Sequence, residues 1–155
     1  MMEEKEKAWK TVSSKYLFRR PWLTVRCEDM LLPNGNHIPE YYILEYPDWV
    51  NTIAITKDGK FVFVRQYRPG LGRTSYELCA GVCDKEDASP LVSAQRELWE
   101  ETGYGKGNWQ EYMVISANPS THTNLTHCFL ATDVEPIDHQ PVSYTHLRAH
   151  ETDSY

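Results

Sequence analysis

Three glutamates, Glu97, Glu100 and Glu101, crowd into the short stretch Arg96-Glu97-Leu98-Trp99-Glu100-Glu101-Thr102-Gly103. If that stretch is helical, a rotation of about 100° per residue places them on one arc of about 100°, away from an apolar stripe of Leu91, Ala94, Leu98 and Thr102. Like charges so placed repel by roughly a few tenths of a kcal/mol per pair in water, and by more if the patch faces a cleft. Arg96 can offset part of this through an i,i+4 pair with Glu100, but it cannot serve all three. A hard divalent cation, Mg²⁺ or Mn²⁺, takes oxygen ligands and keeps several waters, so it suits carboxylates at this spacing and could bridge them to a phosphate. The competing reading is a solvated acidic helix face, which is what spacing alone favours.

The elements that must hold these acids are legible nearby. Ser89 is placed as a helix N-cap, Pro90 sits at the first helical position, where a missing N–H costs nothing, and Gly103 supplies the stop. Upstream, Pro21 to Leu32 and Ile38 to Tyr46 read as strands joined by the turn Pro33-Asn34-Gly35, an antiparallel hairpin. Trp49 to Thr56 and Phe61 to Tyr67 flank the turn Lys57-Asp58-Gly59-Lys60 as nearly continuous apolar strands, the pattern of a buried sheet. Ser75 to Cys79 is a short strand running into Ala80-Gly81. Trp109 to Ser116 and Thr126 to Thr132 are strands joined by a polar loop. Residues 1–15 read as a loose or short helical lead-in. Strands, helix, strands in that order predict an α+β domain with a mixed sheet.

Composition narrows the partners. The 155 residues carry 16 Lys+Arg against 22 Asp+Glu, a formal charge of −6 that argues against a broad basic face for nucleic acid or anionic lipid. Anionic ligands must therefore be held locally. No window approaches the roughly eighteen consecutive apolar residues of a membrane span, and MMEEKEKAWK is too charged for a signal peptide, so the expected setting is the cytoplasm. Four cysteines without a C-x-x-C pair read as reduced, structural thiols. Val142 to Thr152, VSYTHLRAHET, breaks with the preceding composition and resembles the read-through translation of a transposon-based sequencing adapter. Residues 142–155 are expected to be non-native, with the natural chain continuing differently past Pro141.

Arg96-Glu97-Leu98-Trp99-Glu100-Glu101-Thr102-Gly103-Tyr104 matches R-E-U-x-E-E-x-G-U, the second half of the Nudix box, at every fixed position, U being a bulky apolar residue. Glu77-Leu78-Cys79-Ala80-Gly81 resembles the E-x-P-A-G lead-in of the ADP-ribose pyrophosphatase branch of Nudix hydrolases, with Cys79 where Pro is usual. The looser resemblance runs from Pro21 to Asp138. It implies an α/β/α sandwich with a mixed sheet and an N-terminal antiparallel hairpin. It implies metal-dependent hydrolysis of the pyrophosphate bond in a nucleoside diphosphate linked to X, ADP-ribose or a nucleotide sugar, with Mg²⁺ or Mn²⁺ as cofactor. By the same resemblance Glu97 and Glu101 are the primary metal ligands, Glu100 a further ligand or supporting acid, and the Ala80 carbonyl a backbone ligand. Arg96 orients the glutamates, while Gly81 and Gly103 are backbone requirements of the turns. Arg65 and Arg68 are the candidates to clamp the phosphates, Arg68 at a position where relatives contact substrate. The hairpin from Trp22 to Tyr46 resembles strands through which relatives dimerise, so a homodimer is expected.

Two positions depart from the pattern. Gly81 lies fifteen residues before Arg96 rather than fourteen, which puts Ala88 where the first Glu of the box belongs, with Glu86 and Asp87 just upstream as substitutes. Asn124 stands where relatives carry a catalytic Glu, and an amide accepts no proton, so the general base would be a helix glutamate, His122 or metal-bound hydroxide. These departures leave an alternative, a nucleotide-binding sensor domain that keeps the fold without turnover.

Overall fold

The computed structural model describes residues 7–137 and, as backbone, 148–153. It divides into two compact units, one from the N-terminal residues through Tyr46 with Ser116–Asn124, the other Pro47–Ile115 with the residues from Leu125 on. The hairpin region and the mixed sheet thus fall in separate units.

The first unit is a three-stranded antiparallel sheet in the order β1 (Lys10–Arg20), β2 (Leu23–Leu31), β3 (His37–Glu45). The expected hairpin is β2 and β3, turned through Gly35 at φ +84°. From Lys10 on, β1 corrects the loose or short helical lead-in expected for residues 1–15, of which residues 1–6 lie outside the described residues. Its eleven residues are all exposed, so no buried-exposed alternation marks it, and it is held by its ladder to β2. The segment Ser116–Asn124 is strapped to β3 by Leu44 N–H to Thr121 O (2.8 Å) and Thr123 N–H to Leu44 O (3.1 Å).

In the second unit β4 (Trp49–Thr56), β5 (Lys60–Arg68), β6 (Arg73–Glu77), β7 (Cys79–Val82), β8 (Tyr104–Gly105), β9 (Asn108–Ile115), β10 (Thr126–Pro136) and β11 (Arg148–Asp153) form one mixed sheet. β4 and β10 run parallel, with Trp49 beside Thr126 and Ala54 beside Ala131; the other pairings are antiparallel. Rather than burying both faces, β4 alternates. Val50, Thr52, Ala54 and Thr56 are buried while Trp49, Asn51, Ile53 and Ile55 are half-buried.

The buried face carries α1 (Pro90–Thr102), the one α-helix among the described residues, which supplies one helical layer of the expected sandwich. Its ends are those the sequence predicts: the Ser89 hydroxyl accepts the Val92 N–H, and Gly103 at φ +75° donates its N–H to the Trp99 carbonyl. Ala94 packs with Val50 and Phe129, and Leu98 with Ala54, Val62, Cys79, Ala131 and Val134. The strand expected from Ser75 to Cys79 is two strands. The break at Leu78 lets Glu77 pair with Val64 of β5 and Cys79 with Thr52 of β4, a change of partner that no local pattern encodes. Residues 142–147 and 154–155 of the stretch expected to be non-native lie outside the described residues; β11, between them, pairs with the outer edge of β5. Such pairing draws on backbone groups alone and makes no demand on side-chain identity.

Candidate active site

The register of β7 puts it directly against α1 and decides how the three acids differ. Ala80 N–H donates to Glu101 Oε2 at 3.3 Å. Glu97 lies so close to Gly81 that a Cβ built there would come within 2.0 Å of Glu97 Cδ. Glu97 and Glu101 are therefore turned under a strand, while the Glu100 side chain stays 40% exposed. Burial raises the carboxyl pKa of both inward acids. For Glu97, Arg96 pulls the other way and Glu100 adds repulsion; for Glu101, a hydrogen bond from the Cys79 thiol opposes the rise and Glu97 adds to it. An acidic face in open water would show neither the burial nor these shifts.

Arg96 organises the cluster from below. Nη1 lies 2.9 Å from Glu97 Oε1 and 3.2 Å from Glu100 Oε2, and Nη2 lies 3.1 Å from Asp84, 3.0 Å from Asp87 and 3.0 Å from the Val82 carbonyl. Burial alone would depress the guanidinium pKa, but hydrogen bonds to Asp87 and Glu97 outweigh it and the charge is held more firmly than usual. Asp87 also accepts from Ser93 Oγ at 2.8 Å, and that bond with the Arg96 pair lowers its pKa.

A cavity of about 430 Å³ opens beside Ala80, Gly81 and Val82, bounded also by Trp49, Asn51, Arg68 and Thr126. Arg68 is anchored at its rim by Glu77, with Nε 2.9 Å and Nη2 2.6 Å from Glu77 Oε2. That pairing, with burial opposing it, lowers the Glu77 pKa. Arg65 is not brought to this cavity. It is exposed on β5, its guanidinium 6.0 Å from the Tyr76 ring centre. Residues three apart on a strand point to opposite faces, so the two arginines could not both line one cavity, a constraint present in their spacing.

With acids, Arg68 and cavity in place, the sequence model of the NUDIX domain matches residues 46–151. The chain belongs to the NUDIX family. A second match, to the nucleoside diphosphate sugar hydrolase N-terminal domain, covers residues 9–44. This Nudix chain is 32% identical over 129 residues to the ADP-ribose pyrophosphatase of Bacillus subtilis (strain 168), covering 83% of this chain and 69% of that one. It is 33% identical over 122 residues to the methanol dehydrogenase activator of Bacillus methanolicus, covering 79% and 65%. It thus spans about two thirds of the length of these relatives. The crystal structure of an ADP compounds hydrolase superposes with a TM-score of 0.80 at 22% identity, over 92% of this chain and 77% of that one, a likeness of fold.

The departures from the Nudix box acquire physical content. Asp87, weighed as a substitute for the missing first Glu, is instead engaged by Arg96 and Ser93, and Glu86 is exposed. Asp84 and Asp87 were not legible as partners of Arg96, because a loop residue nine or twelve positions away carries no periodic signal. Gly81 proves to be a side-chain requirement: the obstruction is Glu97 itself and not a turn. Asn124 belongs to the first unit, 4% exposed, with neither amide atom hydrogen-bonded among the described residues. Hard oxygen donors that are desolvated and only partly neutralised fit a divalent cation. Among the described residues no three acid, His or Cys side chains already close into a metal cage.

Proposed function

We propose that this Nudix protein hydrolyses the pyrophosphate bond of a nucleoside diphosphate linked to a second group, ADP-ribose or a nucleotide sugar, with Mg²⁺ or Mn²⁺. The observation that carries the reading is the pair of half-buried carboxylates, Glu97 and Glu101, held against Gly81 and Ala80 of β7, two residues that also line the cavity Arg68 borders. Glu97 and Glu101 would hold the cation, with Glu100 as a supporting acid and Arg96 fixing the rotamers of Glu97 and Glu100. The Ala80 carbonyl is suited to be the backbone ligand. A strand residue directs N–H and C=O to the same side, and the Ala80 N–H already reaches Glu101. The cation supplies Lewis acidity and a lowered pKa for bound water. Glu77 occupies the Nε and Nη2 side of the Arg68 fork, which leaves Nη1 to offer to a phosphate oxygen.

A second reading, nucleotide binding without turnover, draws support from Asn124, whose carboxamide cannot serve as a base. Hydrolysis of ADP-ribose, NADH and GDP-mannose, assayed with Mg²⁺ and again after chelation, separates the two. Metal-dependent release of two products is expected; tight binding with no product on any substrate would favour the sensor.

We also infer that the protein works as a homodimer in the reducing cytoplasm. Its first unit exposes Trp22 at 81% and Phe18 at 55%, with Trp9, Leu17 and Leu23 also open, large apolar side chains of the kind that assembly covers. The cysteines are free thiols, and among the described residues no helix is long and apolar enough to cross a membrane. Light scattering at micromolar concentration should return twice the 18.1 kDa chain mass; a monomer there would remove the dimer.

A further inference from the structure

One face of β4 carries side chains that the metal chemistry leaves unused. Val50 packs with Ala94 of α1, so strand alternation turns Trp49 and Asn51 to the face away from the helix. Register then fixes their neighbours. Thr126 of β10 stands beside Trp49 on one side, and Val82 and Ala80 of β7 stand beside Trp49 and Asn51 on the other. These residues and Arg68 bound the same cavity of about 430 Å³. β10 lies along one edge of β4, while β5 and β7 lie along the other. The cavity therefore runs across β4 from a charged flank, with Arg68 and the acids gathered at β7, to a neutral flank at Thr126. A group attached to a diphosphate held at the charged flank would lie over Trp49 and Asn51.

Among the described residues the half-buried Asn51 carboxamide has no hydrogen-bond partner, and no carboxylate bounds the cavity. A sugar would bring several hydroxyls to a wall whose neutral polar side chains are Asn51 and Thr126 alone, and a desolvated hydroxyl left unpaired is costly. A flat base asks less of the wall and gains from an aromatic face such as Trp49. Guanine shows two adjacent acceptors, O6 and N7, which call for arginine or lysine, or adjacent N–H donors, which call for a carboxylate. Adenine shows a donor next to an acceptor, N6 and N7, the pair that a carboxamide matches. We propose that Asn51 is a specificity-determining residue, its carboxamide reading the edge of an adenine that lies against Trp49. The inference rests on the proposed hydrolysis of a nucleoside diphosphate and deepens it by naming the base and the residue that selects it.

The test is calorimetric titration of the full chain with AMP and with GMP in the presence of Mg²⁺, alongside circular dichroism to register folding. Neither nucleotide has a pyrophosphate bond to lose, so binding is read without turnover. Wild type is expected to bind AMP about tenfold to a hundredfold more tightly than GMP, the discrimination that one bidentate contact to a base edge confers. In Asn51→Ala the AMP affinity should fall to that for GMP while the GMP affinity holds. Asn51→Asp keeps the shape of the side chain and removes its N–H donors, so it too should lose the preference for AMP. Equal affinity of wild type for the two nucleotides would overturn the inference. An equal fall in both affinities in the folded variants, the result expected if Asn51 only shapes the cavity, would also overturn it, as would the absence of binding at millimolar nucleotide. None of these results bears on hydrolysis itself, which stands or falls with the substrate panel.

Discussion

Glu101→Gln should cost about a thousandfold in kcat, roughly 4 kcal/mol of transition-state stabilisation, and at the same time raise the melting temperature of the metal-free protein. The loss follows if a cation held by Glu97 and Glu101 polarises the diphosphate, because an amide is a far poorer ligand for a hard cation than a carboxylate. The gain follows from what holds Glu101 without a cation. Burial under β7 comes first in raising its pKa, with repulsion from Glu97 adding to it. Between the unfolded and the folded pKa the folded chain binds the extra proton, so stability falls as pH rises through that window. Gln keeps an oxygen for the Ala80 N–H and discards the charge. The melting temperature, measured with chelator present at pH 7, should rise by about 2–4 °C for each kcal/mol relieved, and the difference should vanish below about pH 4, where the wild-type carboxyl is protonated. Full activity in the variant, or a lower melting temperature at pH 7, would remove Glu101 from the metal site.

Gly81→Ala should lower kcat/KM by about a hundredfold with little change in fold. A Cβ at Gly81 would stand 2.0 Å from Glu97 Cδ, 2.2 Å from Oε1 and 2.5 Å from Cγ, distances that no real contact tolerates. The Gly81 backbone is outside the left-handed region, so alanine carries no conformational penalty of its own there. What must give is the Glu97 side chain, which swings away from β7 and takes its bond to Arg96 Nη1 with it. The obstacle is a flexible chain end rather than backbone, so the displacement should be absorbed without unfolding. Circular dichroism and the thermal midpoint check that premise, and kcat/KM on the best substrate reads the effect. Wild-type turnover by a folded Gly81→Ala would mean that the placement of Glu97 is immaterial to the chemistry.

Both predictions depend on a distinction between what short-range chemistry specifies and what packing imposes. The ends of α1 were legible because a cap hydroxyl, a proline and a glycine act on residues within one turn of themselves. The nine-residue motif from Arg96 to Tyr104 was legible for a related reason: helical spacing sets Glu97, Glu100 and Glu101 on one arc whatever lies outside. β4 matched its expected bounds because its apolar content is itself a local pattern. β1, with every residue exposed, had no such pattern and became a strand only through its partner. The change of partner at Leu78, the recruitment of Asp84 and Asp87 to Arg96, and the separation of Arg68 from Arg65 each join residues distant in sequence or on different faces of a strand. Local spacing determined which carboxylates share a helix face. Only the placing of β7 across that face turned two of them away from water, because desolvation is a property of what covers a group and is carried by no residue alone.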